Sequence, residues 1–112
     1  MTLEDLIQKL ELTPFTTPKD FPAIHPTGGY ASDLLSCAMA GAKPGNVWVT
    51  LQSHVNIVAV AALTEVCGVI ISEGAQPEAA VIEKANGQGV TLLGTKLPTY
   101  QVVGKLWELG IH

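Results

Sequence analysis

A three-layer α/β/α domain with a mostly parallel sheet is the fold this chain predicts. Three observations carry that expectation. Short runs rich in apolar and β-branched residues recur at Asn46–Thr50, Gly68–Ser72 and Val90–Gly94. Segments of helical length separate and follow them. The runs are continuously apolar and do not alternate, which is how strands read when both faces are buried. Strand and helix in strict alternation imply parallel β-α units with right-handed crossovers, covered by helices on both sides.

The elements follow in order. Thr2 to Leu10 predicts a helix, because Thr2 and Asp5 stand at capping-box spacing and Leu3, Leu6, Ile7 and Leu10 share one face. Residues 11–27 form an extended arm within the same domain. Pro14, Pro18, Pro22 and Pro26 remove a donor every four residues, so neither helix nor central strand survives there. Edge pairings are expected near Leu12–Phe15 and Phe21–Ile24. A helix is predicted from Ser32 or Asp33 through Ala40, stopped by Gly41 and Pro44-Gly45. Asn56 to Cys67 is apolar almost all round, so it predicts a helix buried on more than one side. Pro77 opens another helix that runs to about Asn86, and Thr99 to Leu109 closes the chain as a helix. Trp48 and Trp107 are expected in the core. Cys37 and Cys67, isolated in sequence, are expected there as reduced thiols.

Composition narrows the function. At 112 residues the chain is one domain by size, spanning 1–112. Hydrophobic residues make up 47% and charged residues 14%, against roughly 25% charged in an average soluble domain. That shortage of charge points to apolar surface covered by a second copy, hence a homodimer. Net charge is −4, and all six cations are lysines. Without arginine or a basic stripe, nucleic acid is not an expected partner. No arginine fork is available for phosphate either. The longest apolar run is too short to cross a bilayer, and the acidic, amphipathic N-terminus lacks the pattern of a secretory signal, so no membrane partner and a cytoplasmic location are expected.

In parallel α/β sheets, ligands bind beyond the carboxyl ends of the strands. Polar residues of this chain gather after those ends: Thr50, Gln52, Ser53 and His54 after the first regular strand, Glu73 and Gly74 after the second, Thr95 and Lys96 after the third. Thr27-Gly28-Gly29 runs toward a helix that would begin at Ser32 and Asp33. A glycine-lined helix entrance aims backbone amides at an anion. The candidate ligand-binding residues are therefore Gly28, Gly29, Ser32, Asp33, Thr50, Gln52, Ser53, His54, Glu73, Gly74 and Thr95. Neither a Walker loop nor GxGxxG is present, and there is no obvious nucleophile beside His54. No catalytic residue, metal site or cofactor is assigned.

The run HPTGGYASDLLSCAMAGAKPGNVWVTLQSHVNIVAVA resembles the DRTGG domain family, and the likeness extends from about Thr2 to Leu109. Thr27-Gly28-Gly29, Ser32-Asp33-Leu34-Leu35-Ser36 and Glu73-Gly74 carry it. His25-Pro26 stands where the family's Asp-Arg pair is expected. The domain is similar to the N-terminal domain of HPr kinase/phosphorylase, and this chain resembles a single-domain member. The resemblance implies a three-layer α/β fold, a regulatory role and no catalysis. Together with the polar rim, it leads to a non-enzymatic, ligand-sensing domain for a small anionic or nucleotide-like compound. The alternative is a protein–protein interaction module that accompanies a larger redox or metabolic enzyme system, without a small ligand.

Overall fold

The computed structural model describes residues 1–112. Its five strands are β1 (Thr13–Pro14), β2 (Gly28–Ala31), β3 (Asn46–Thr50), β4 (Gly68–Ile71) and β5 (Leu92–Gly94). They form one sheet in the order β1-β5-β4-β3-β2. The four longer strands are parallel neighbours in chain order, and β1 joins β5 antiparallel at the edge. The helices are α1 (Leu3–Lys9), α2 (Leu35–Gly41), α3 (Asn56–Thr64), α4 (Ala79–Gln88) and α5 (Thr99–Glu108). This is the three-layer, mostly parallel α/β fold that the alternation of runs predicts.

Because each crossover steps to the next strand in the same direction, α2, α3 and α4 fall on one face. The buried cluster there joins Ala38 of α2, Ile57, Val58, Val60 and Ala61 of α3, and Val81 and Ala85 of α4 to Trp48, Val69, Ile71 and Leu92. The other face is covered by the chain's first and last helices. Leu3, Leu6 and Leu10 meet Val102, Leu106 and Ile111 over Val47, Val49, Ile70 and Leu93. Alternate residues of β3 and β4 thus enter opposite clusters, as the period of two requires. Helix α3 packs on the sheet with α2 and α4 at its flanks, which explains why its sequence has no polar face. It ends at Thr64, earlier than the expected Cys67, because Glu65 takes a left-handed conformation (φ 59°) that terminates the helix.

The capping box of α1 is present. Thr2 Oγ1 accepts from the Asp5 amide at 3.1 Å, and the Asp5 carboxylate accepts from the Thr2 amide at 2.9 Å. The backbone hydrogen bond from Thr2, followed by its hydroxyl, holds the Asp5 carboxyl below its ordinary range. The arm is pinned to the sheet. Pro14 is tolerated because β1 is an edge strand. The Phe15 amide donates to Leu92 O at 2.9 Å, Thr16 Oγ1 accepts from the Leu92 amide at 3.0 Å, and the Thr17 amide donates to Asn86 Oδ1 at 2.8 Å. The second expected edge pairing, near Phe21–Ile24, is instead one 3-10 turn over Phe21–Ala23, which sinks Phe21 into the core beneath α1.

Three further expectations change. Gly28 and Gly29 are a strand, not a helix entrance, and α2 begins only at Leu35. Trp48 is buried as expected, its indole N–H donating to Ser32 O at 3.0 Å. Trp107 is 62% exposed, on the outer face of α5, where it stacks on His112 with ring centroids 4.3 Å apart. Cys37 is exposed on α2, a position that the short helix turns outward. Cys67 is partly buried, and that burial pushes its thiol up to about 11.

One buried polar atom has no partner, the hydroxyl of Thr91. Replacing it with an isosteric methyl removes a desolvation cost of about 1–3 kcal/mol without opening a cavity. Thr91→Val is therefore expected to unfold at the same denaturant midpoint or a higher one in urea titration.

Candidate functional site

Parallel pairing brings the carboxyl ends of β2, β3, β4 and β5 to one rim of the sheet. The loops beginning at Ser32, Leu51, Ser72 and Thr95 all emerge there. Gly28 and Gly29 do not reach it. Gly28 pairs with Asn46, at the amino ends of the strands. A Cβ on Gly28 would lie 3.0 Å from the His112 carbonyl oxygen, so the residue is small because the chain's last residue crosses over it. The remaining predicted residues do share the rim, in two unlike halves.

The half beyond β2 and β3 is knitted to itself. Asp33 is the knot: its Oδ1 accepts from Thr50 Oγ1 at 2.9 Å and from the Leu51 amide at 2.8 Å. The Gln52 side-chain amide donates to Asp33 O at 3.3 Å, and the Gln52 backbone amide donates to Thr50 Oγ1 at 3.1 Å. Ser32 Oγ accepts from the Leu34 amide just before α2. His54 Nδ1 accepts from the Asn56 amide at 3.2 Å, which makes that nitrogen an acceptor at the start of α3. Ser53 is half-buried between them. A carboxylate at the centre of this half disfavours an anion.

The half beyond β4 and β5 is open. Glu73 and Gly74 both have positive φ, 64° and 72°, and fold the loop so that their amides donate to Leu97 O and Thr95 O. The Glu73 carboxylate accepts from the Thr99 amide at 2.7 Å and caps α5, while Ser72 Oγ and Thr99 Oγ1 lie 2.6 Å apart beneath it. Thr95 Oγ1 accepts from the Leu97 amide at 3.1 Å. Beside this loop lies a cleft of about 520 Å3, walled by α1 and β1 on one side and by α5 on the other. Gly74 and Thr95 line it. So do Lys9, Lys96 and Lys105, half of the six lysines in the chain, together with Glu11. Only Leu10, Phe15 and Leu97 are apolar in its lining.

Sequence spacing places Lys96 at the rim but leaves Lys9 and Lys105 unremarked. Nothing local marks them; they meet only because α1 and α5 share one face of the sheet. No three metal-ligating side chains gather anywhere in the structure, and no helix is long and apolar enough to cross a membrane.

At the opposite edge of the sheet, β2 has no strand on its outer side. A small apolar hollow lies beside it, lined by Tyr30, Ala31, Val103, Trp107 and Ile111. Across β2, Leu34 just before α2 and Met39 on it are exposed. The open strand is thus bordered by uncovered apolar side chains on both faces.

A four-stranded parallel ladder with an antiparallel edge, a polar rim and a lysine-lined cleft define a small α/β domain. The chain belongs to the DRTGG domain family, whose model matches residues 34–109. Thr27-Gly28-Gly29 precedes the matched stretch. Among solved structures, the fold is similar to the CBS and DRTGG domains of the regulatory region of Clostridium perfringens pyrophosphatase, complexed with the activator diadenosine tetraphosphate. The TM-score is 0.75 and the identity 14%, over 91% of this chain. The chain spans 44% of that structure's length. No curated protein matches the chain.

Asp33 is expected to act on stability. Asp33→Ala removes the acceptor of a fully buried Thr50 hydroxyl, which should cost about 1–3 kcal/mol. Chemical denaturation followed by the fluorescence of buried Trp48 would measure it.

Proposed function

We propose that residues 1–112 act as one non-catalytic regulatory module that senses a small anionic or nucleotide-like ligand at the carboxyl ends of the strands. The observation that carries this reading is the rim itself. Four parallel strands end together, and a hollow of about 520 Å3 opens there among hydroxyl, glycine and lysine residues. Membership of the DRTGG family supports it, as does a neighbour of the same fold that lies in an enzyme's regulatory region complexed with a nucleotide activator. Catalysis is not part of this reading. His54 and Glu73, the acid–base pair the rim could offer, are each hydrogen-bonded to the start of a different helix.

Melting curves of the full chain in the presence of nucleotides and phosphorylated metabolites test it. A ligand in excess stabilises the folded state by mass action, and each kcal/mol of that stabilisation raises the midpoint by roughly 4–8 °C in a small domain. At least one phosphorylated compound should do so at millimolar concentration. A flat response across the set removes the proposal.

The open edge of β2 favours a second reading that is compatible with the first, a homodimer. An edge strand can pair antiparallel with its own copy about a two-fold axis. The side chains beside it, Tyr30, Leu34, Met39, Val103 and Trp107, carry no charge. A chain of net charge −4 can therefore approach itself there without juxtaposing like charges. Association with a larger metabolic enzyme is supported only by the setting of the neighbour's domain within a pyrophosphatase. Light scattering at micromolar concentration should report twice the 11.8 kDa chain mass. Trp107→Lys, at an exposed position, should return the monomer with an unchanged circular dichroism spectrum. A monomeric parent chain would rule the dimer out.

A further inference from the structure

We propose that the cleft between α1, the β5–α5 loop and α5 binds a diphosphate-bearing compound through Lys9, Lys96 and Lys105. The inference rests on the ligand-sensing reading and gives it a place and a chemistry. Twelve of 112 residues line the cleft, and they include three of the six lysines of an acidic chain. Solvated lysines scattered over a surface mean nothing by themselves. These three come from the end of α1, the turn after β5 and the third turn of α5, and they converge on one hollow.

The chemistry follows from what the cleft offers and what it has already used. The Glu73, Gly74 and Thr95 amides are committed to Leu97 O, Thr95 O and Ile71 O, and the Leu97 amide to Thr95 Oγ1. The Gln76 and Lys96 amides donate to no protein acceptor, so recognition falls mainly to side-chain charge, with at most these two backbone donors beside it. Three ammonium groups against the Glu11 carboxylate leave an excess of two positive charges, which suits a ligand with at least two negative ones. Lysine acts on phosphate as a point charge, so three of them can distribute over several phosphate oxygens without the planar fit that arginine demands. The volume, about 520 Å3, lies within the range of small-molecule sites, roughly 300–1,000 Å3. It leaves room for more than the phosphates, with Phe15 as an apolar wall. Held by solvated charges, the ligand should bind in a strongly salt-dependent way.

Inorganic pyrophosphate is the simplest probe. In an amide NMR titration of the full chain, the Glu11, Gly74, Thr95 and Lys96 signals should move together and saturate in the millimolar range or below. Lys96→Gln combined with Lys105→Gln should weaken binding by about tenfold or more, and Glu11→Gln should tighten it a few-fold, because each change alters one solvated charge beside the ligand. Lys84→Gln, away from the cleft, should leave the affinity unchanged. All of these positions are exposed, and unchanged melting temperatures would show that the variants fold. The proposal is overturned if pyrophosphate moves no signals, or if the cleft variants bind like the parent chain. Signals moving instead at Asp33, Thr50 and Gln52 would leave the sensing reading standing and refute this placement. Silence in both the titration and the melting screen would refute both.

Discussion

The parallel ladder from β2 to β5 is the constraint from which the rest follows. Its strands neighbour one another in chain order, so every right-handed crossover deposits its helix on the same face. That leaves the opposite face uncovered by any crossover. Val47, Val49, Ile70 and Leu93 would meet water there if α1 and α5 did not close over them. The same ladder sends four loops to one rim. The polar character of that rim and the position of the lysine-lined cleft are both consequences of strand direction.

The two halves of the rim divide structural from chemical roles. Beyond β2 and β3, the Asp33 carboxylate binds two loops together and satisfies the deeply buried Thr50 hydroxyl. Beyond β4 and β5, the loop ties down the Glu73, Gly74 and Thr95 amides and caps α5 through Glu73, leaving exposed lysines to line the hollow. Asp33 makes one half negative, and three lysines against the Glu11 and Glu73 carboxylates leave the other with a net positive charge, a polarity that the net charge of the chain conceals.

Most of the fold was legible in the sequence because its signals are local. The three central strands announce themselves as unbroken apolar runs, and α1 by a capping box. β2 was not legible. Gly28-Gly29-Tyr30-Ala31 has little β-propensity, and it is a strand because Asn46–Val49 offers it a ladder, which is a tertiary cause. Trp107 read as core because aromatic residues usually are. Helix α5 meets the sheet through Val102 and Leu106, and that geometry turns Trp107 outward. The cleft was half legible. Gly74 and Thr95 follow strand ends, as the rim rule requires. Lys9 and Lys105 stand far apart in the chain, and no spacing pattern links them.

Covering one sheet face with both ends of the chain has a kinetic meaning. Leu3 and Leu106 belong to the same cluster although almost the whole sequence separates them. Loop-closure entropy is greatest for such pairs, and their contacts reward the chain only after the intervening strands have aligned. Lys9 and Lys105, two of the three cleft lysines, ride on these two helices, so the cleft exists only once that long-range contact has closed.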